Sequence, residues 1–308
     1  MSITEDRTVA QGRRSKHGGR QETAARLLAS SARKSYDPTV EVDWEAPIDD
    51  SLYGMTPEWC SLYGTEMWES MTQEQRVTLS KHEAASISST GIWFEMCLMQ
   101  MILRDVYWQR YDSNHVMFGL AEIADECRHS TMFARAFQKF GIPNYKPNKA
   151  IMWLGAFFKS TSTGSLAYGG TLFAEEILDM MQRDFMKDDR VQPITRSVSK
   201  IHVTEEARHI RFAREETIRK AAELGRVQRA YARLLMGGTA YFVVKTLVHK
   251  DAYKAAGLDP KEARKVAANN PHHQSMIRNG CAGTVQFLDS VGLVGGPSKF
   301  LLKRANIV

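Results

Sequence analysis

Three features of the 308-residue sequence predict an all-α fold. Long stretches carry apolar side chains at helical spacing. No segment alternates apolar and polar residues with the β-branched enrichment of a strand. Start and stop signals, Thr72, Ser113, Gly141 with Pro143, Pro193 and Gly225, fall at the ends of those stretches. Helices of more than 20 residues, joined by short or moderate connections, make a bundle with additional helices. With 43% hydrophobic and 25% charged residues the chain has the make-up of an ordinary globular protein and can bury a sizeable core.

Taken in order, residues 1–35 read as a basic, largely disordered tail with a short amphipathic helix over Gln21–Lys34. This tail holds eight Lys/Arg against three Asp/Glu, a net +5 of the chain's +6, so the remaining 273 residues carry only +1. The pI of about 9.1 is therefore a property of the tail and does not mark a nucleic-acid-binding surface. Residues 36–64 are an acidic, Pro-containing connector. Residues 65–250 hold the helical bundle. Its first helix is expected from about Gln73 to Arg110, with Thr72 as cap and a broad apolar face. The second runs from Ser113/Asn114 to about Phe140. A short apolar helix covers Ala150–Lys159. The third long helix spans about Ser165–Met186, where Gly169-Gly170 predicts a kink or a close backbone approach. The fourth opens at Pro193 and runs to about Leu224, and the fifth covers 226–248. Residues 251–308 form a C-terminal helical extension packed on the bundle, with helices near 260–269 and 273–290.

Tyr231–Val248 is the most apolar stretch, but Arg233 and Lys245 interrupt it, so it reads as a buried helix and no membrane span is expected. The N-terminus has no apolar signal segment. The four cysteines, Cys60, Cys97, Cys127 and Cys281, form no Cys-x-x-Cys pair and read as free buried thiols. Together these features predict a cytoplasmic protein.

Two segments carry the chemistry. Asp125-Glu126-Cys127-Arg128-His129 and Glu205-Glu206-Ala207-Arg208-His209 share one pattern, acid-Glu-x-Arg-His, in mid-helix. Glu and His three apart project from one helix face, so each pair can bind one metal ion and leave a carboxylate free to bridge to a second. Two such helices plus a Glu from each of two others compose the di-iron or di-manganese site of helical bundles. Glu95 sits among Ile92, Phe94, Met96 and Leu98, where an unpaired carboxylate is costly to bury. Register selects the fourth carboxylate. Glu95 precedes Glu126 by 31 residues and Glu175 precedes Glu206 by 31, so the two halves repeat with an offset of 80. Glu175 is therefore chosen, with Glu176 as the fallback. His202, one turn before Glu206, falls on the same face as Glu206 and His209 and is a third imidazole for the second ion. The expected metal ligands are thus Glu95, Glu126, His129, Glu175, His202, Glu206 and His209. The metal centre is itself the catalytic group. Asp125 and Glu205 are each placed to orient the histidine of the opposite helix, with Arg128 and Arg208 as their partners and Glu122 as a further outer acid.

This set resembles the p-aminobenzoate N-oxygenase family of arylamine oxygenases within the ferritin-like superfamily. The family has Glu, Glu-x-x-His, Glu and Glu-x-x-His plus one more His a helical turn before the last pair, matched here by His202-x-x-x-Glu206-x-x-His209. The resemblance covers roughly residues 60–250. It implies a ferritin-like four-helix bundle holding two Fe ions, with Mn as an alternative. It also implies O2 and a small-molecule amine as substrates, oxidised through hydroxylamine and nitroso to nitro. An external electron donor (reductase or ferredoxin) and a homodimer follow from the same likeness. Other readings of the same residues are a di-iron hydroxylase or desaturase acting on carbon, and a non-oxygenase iron protein. A radical-generating subunit would need a tyrosine near the metals, for which Tyr107 and Tyr168 are the available residues.

Overall fold

The computed structural model describes residues 19–308. The first eighteen residues, most of the predicted tail, lie outside the described part. The helices in chain order are α1 (Arg20–Arg33), α2 (Pro38–Glu41), α3 (Glu66–Ser70), α4 (Gln73–Val106), α5 (Asn114–Lys139), α6 (Lys149–Thr161), α7 (Gly164–Phe185), α8 (Pro193–Ala222), α9 (Arg226–Thr246), α10 (Lys250–Ala255), α11 (Pro260–Asn269), α12 (Pro271–Ser290) and α13 (Pro297–Arg304). The described residues contain no strand, and one isolated bridge joins Tyr53 to Val191.

Local chemistry sets the helix ends. Thr72 and Gln75 form a reciprocal capping box, Gln75 N donating to Thr72 Oγ1 at 3.2 Å and Thr72 N to Gln75 Oε1 at 3.0 Å. Ser113 caps α5 through Val116 N, and Gly141 follows its C-terminus at φ +67°, a conformation that favours glycine. Pro193 occupies the first turn of α8, where its missing N–H costs nothing. α4 stops at Val106, four residues before the expected end. Gln109 N turns back to Val106 O, and Tyr107 and Trp108 are exposed, so nothing rewards a further turn.

The four long helices α4, α5, α7 and α8 pack side by side, α4 on α5 and α7, α8 on α7 and α5. This is an all-α, ferritin-like bundle with additional helices. α1 lies across α5 and α8, α6 rests on α4, and α9, α12 and α13 build out from α7. The connector before α4 is itself part of the core, for Met55, Trp59, Cys60 and Leu62 are buried against α7 and the C-terminal helices. The expected glycine contact in α7 is a close approach with no break in the helix. A Cβ at Gly170 would stand 2.6 Å from Phe158 Cζ of α6, and one at Gly169 would stand 2.8 Å from Met236 Cε of α9. No helix among the described residues is long and apolar enough to cross a membrane. All four cysteines are free. Three are buried, but Cys127 is exposed, against expectation. It follows Glu126, and a residue one step along a helix from an inward-facing one turns about 100° away.

Candidate metal centre

Each helix of the bundle delivers side chains to one point in its interior. α4 contributes Glu95, α5 Glu126 and His129, α7 Glu175, and α8 His202, Glu206 and His209. All seven are buried. They fall into three overlapping groups that could each hold a metal ion: Glu126, His129, Glu206 and His209; Glu95, His129 and His202; and Glu175, His202 and Glu206. Within each group the ligand atoms lie within 4.8 Å of one another. His129 Nδ1 is 3.0 Å from Glu126 Oε2. His209 Nδ1 is 2.8 Å from Glu126 Oε1 and 3.1 Å from Glu206 Oε2. His202 Nε2 stands 3.8 Å from Glu206 Oε2 and 3.9 Å from Glu95 Oε1.

The far nitrogens of two imidazoles are held by acids that cross the bundle. His129 Nε2, on α5, pairs with Glu205 Oε2 of α8 at 2.9 Å. His209 Nε2, on α8, pairs with Asp125 Oδ2 of α5 at 3.2 Å. With Nε2–H donating outward, Nδ1 presents its lone pair to the centre, which fixes tautomer and ring orientation for metal binding. The acids are held in turn. Arg128 pairs with Asp125, and Arg208 reaches Asp125 Oδ2 at 3.3 Å and Glu205 Oε1 at 3.6 Å. The segment after α1 closes over them. Tyr36 N donates to Glu205 Oε1 at 3.0 Å, and Lys34 O accepts from Arg208 Nη1 at 3.0 Å.

The electrostatics fit a cation. Burial, with the Glu126 charge, pushes Glu95 up to about 8. Burial also raises Glu206 against the opposing pull of His209, and raises Glu175 with the help of neighbouring carboxylates. Burial raises Glu126 too, but the two histidines outweigh it and hold this carboxyl well below its usual range. Burial would depress His129, yet its bonds to Glu126 and Glu205 lift it to about 10. Burial and the neighbouring His129 hold His202 neutral. Without a metal, therefore, protons stand where cations belong. Several buried atoms also lack a hydrogen-bond partner: Glu95 Oε1, Glu175 Oε2, Glu206 Oε1 and both ring nitrogens of His202. Such orphans are costly to bury. Four carboxylates and three neutral imidazoles are a charge match for two divalent ions, and this donor set suits iron or manganese.

The residues that sequence left open are placed as follows. Glu176 turns away from Glu175 and accepts from Arg214 at 2.7 and 2.8 Å and from Thr284 at 2.7 Å. Glu122 is buried beside His209 and Glu126, with Oε2 unpartnered. Tyr107 is exposed at the end of α4. Tyr168 is buried, but its hydroxyl donates to Asp105 Oδ2 at 2.9 Å in a network with Arg20 and His115. Sequence reasoning missed that network, and it missed a second buried acid. Glu83 accepts from Ser61 N at 2.9 Å, and burial raises it to about 7. Its partner lies 22 residues away in the connector, so no helical spacing could reveal it.

An apolar cavity of about 200 Å³ adjoins the centre between α4, α6, α7 and α9, with Glu175 in its wall. Sequence gave no sign of it beyond the apolar runs of α6 and α9.

A family model, p-aminobenzoate N-oxygenase AurF, matches residues 17–292. Two curated relatives are the uncharacterized proteins Mb0909 of Mycobacterium bovis and Rv0885 of Mycobacterium tuberculosis, each 27% identical over 222 residues. The match covers 69% of this chain and 65% of each relative, so the chain spans just under two thirds of their length.

Proposed function

The chain belongs to the p-aminobenzoate N-oxygenase AurF family, and from that premise we propose that it is a di-iron oxygenase acting on an arylamine nitrogen. The observation that carries this reading is the convergence of seven buried carboxylate and imidazole side chains from all four bundle helices. Residues 65–250 are the metal-binding bundle, and 251–308 pack upon it. The ligands are Glu95, Glu126, His129, Glu175, His202, Glu206 and His209. Iron at such ligands supplies electrons to O2 and an oxidant for the substrate, and manganese is compatible with the same donors.

The protein's own residues do the rest. Glu205 and Asp125 hold the imidazoles of His129 and His209 with their lone pairs inward. The carboxylates of Glu95, Glu126, Glu175 and Glu206 would balance the charge of the ions. The walls beside Glu175 are mostly apolar and give the centre an approach of low polarity. Each oxygen transfer from amine to hydroxylamine consumes one O2, two electrons and two protons and releases one water. An external reductase or ferredoxin therefore belongs to the cycle. A homodimer in the cytoplasm completes the proposal, three buried free thiols fitting a reducing compartment.

The apolar cavity also suits hydroxylation or desaturation of a carbon substrate, which is the second reading. The test is anaerobic Fe(II) loading, counting of iron per chain, then product analysis with arylamines, O2 and a reductant. About two ions per chain and N-oxygenated products are expected. Absence of metal after loading removes the proposal, and products oxidised only at carbon favour the second reading.

A further inference from the structure

The cavity beside Glu175 has a chemistry of its own. Its wall includes the rings of Trp93, Phe94, Phe158 and Phe242, and it contains no Lys, Arg or His and no side-chain amide. Two hydroxyls face it, on Thr171 and Thr239. Each already donates to the carbonyl one turn back in its own helix, Thr171 to Ala167 O at 3.0 Å and Thr239 to Leu235 O at 2.9 Å. The one carboxyl in the wall is that of Glu175, at the metal end. A carboxylate on the ligand would find no cationic side chain here to pair with.

Size and shape restrict the ligand further. An enclosed cavity of about 150 Å³ holds benzene, so this half-open one of about 200 Å³ has room for one substituted ring. Glycines set this space. A Cβ at Gly155 would stand 2.3 Å from Trp93 Cζ2, so the glycine lets that ring close against α6. Gly170 does the same for Phe158. Gly238 differs, because a Cβ there meets nothing within 4 Å and would extend into open space in the wall of the cavity. A neighbouring cavity shares Leu98, Met101 and Thr171 and does contain Arg104. That guanidinium is engaged, donating to the carbonyls of Lys159, Ser160 and Ser162 at the end of α6.

Resting on the oxygenase reading, we infer that the substrate is an uncharged, single-ring aromatic amine without a carboxylate, bound in the cavity beside Glu175. The amine lies at the Glu175 end and the apolar part of the ring between α6 and α9. The chain thus departs from the acid for which its family is named. Gly238 is the position that sets how much ring is admitted.

The experiment is equilibrium dialysis of the full chain, metal-free and iron-loaded, against 4-methylaniline and 4-aminobenzoate at neutral pH. These probes match in size and differ in charge. Expected is retention of 4-methylaniline at least about tenfold tighter than 4-aminobenzoate, the least that an unpaired buried charge implies. Gly238→Leu should weaken 4-methylaniline at least about tenfold by filling the space of the ring, with iron per chain unchanged. Equal or tighter binding of 4-aminobenzoate overturns the inference and returns attention to Arg104. Unchanged affinity in Gly238→Leu overturns it as well, as does failure of both probes to bind. If 4-methylaniline binds as expected but leaves iron-loaded turnover unoxidised, the oxygenase reading fails and the cavity assignment stands. If 4-aminobenzoate is bound and N-oxidised, the oxygenase reading stands and this inference falls.

Discussion

The α4–α5 half of the bundle and the α7–α8 half carry the same pattern 80 residues apart, yet they are not equivalent. Glu95, Asp125, Glu126 and His129 correspond to Glu175, Glu205, Glu206 and His209. One turn before each Glu-x-x-His pair the halves diverge, with Glu122 in the first and His202 in the second. Both side chains are buried and both have unpartnered atoms. The fourth carboxylates differ too. Ser130 of α5 donates to Glu95, whereas Glu175 Oε2 has no partner and its residue lines the apolar cavity. A repeated frame thus supports a centre with a tethered side and a side that meets the apolar cavity. The difference assigns the extra imidazole and the free carboxylate to the same half, and of the two only Glu175 reaches the cavity.

The strongest way to break this comparison is to remove a shared carboxylate. Glu126→Ala and Glu206→Ala are each expected to take iron from about two ions per chain to none, because each carboxylate contacts a histidine on the ligand side. Elemental analysis after anaerobic loading checks this, and one ion left in either variant would mean that the halves bind independently.

Next come the two divergent positions. His202→Ala should fall to about one ion per chain, while Glu122→Ala keeps about two, with circular dichroism showing an intact helical fold in both. The reverse pattern would make Glu122 the ligand. Asp125→Asn and Glu205→Gln should each weaken metal affinity by about 10–100-fold, the usual cost of losing the acid that orients a ligating histidine. Titration with Mn(II) measures this, and similar losses in the two variants would show that the halves are matched at this level.

Removal of metal exposes a pH dependence. In the metal-free chain His129 rises to about 10 and Glu95 to about 8, against ordinary values of 6.5 and 4.5. Both bind more protons folded than unfolded, so the stability they give is complete below their ordinary values and is lost as pH rises through 4.5–8 and 6.5–10. Asp125 and Glu205 are shifted down, so their contribution is lost instead as pH falls. The melting temperature of the metal-free chain should therefore peak in mild acid and decline on the alkaline side. With metal bound, the ions replace those protons and the profile flattens. Scanning calorimetry of both forms distinguishes them, and a metal-free profile level into alkali would contradict the charged state of the histidines.

The smallest effect concerns Glu176. Glu176→Gln should leave metal content unchanged and cost about 1 kcal/mol in urea unfolding, because its partner Arg214 is partly exposed. Loss of an ion would move the ligand assignment from Glu175 to its neighbour.

Much of this was legible because helices are periodic. The three-residue step within each Glu-x-x-His pair and the 31-residue interval to the preceding Glu are local facts, and the long helices carry them inward. Glu175 could be chosen over Glu176 because a register survives when both loops have matching lengths. What was illegible depends on contacts distant in sequence. Glu216 meets Arg20 across 196 residues, and Ser61 meets Tyr253 across 192. The short helices α2, α3, α10 and α13 have too few turns to show a period. The exposure of Cys127 was not legible from the helical pattern around it, because lying on a helix does not by itself say which face a thiol takes.

The crossed pairs of acid and histidine also bear on how the protein reaches its fold. An α4–α5 hairpin formed alone would contain Glu95, Glu126 and His129 but lack Glu205, which orients His129. An α7–α8 hairpin alone would lack Asp125 for His209. Neither hairpin can finish its half-site before meeting the other. Ordering of the two imidazoles is therefore expected to accompany closure of the bundle, and ions offered to a partly assembled chain would meet ligands not yet set to receive them.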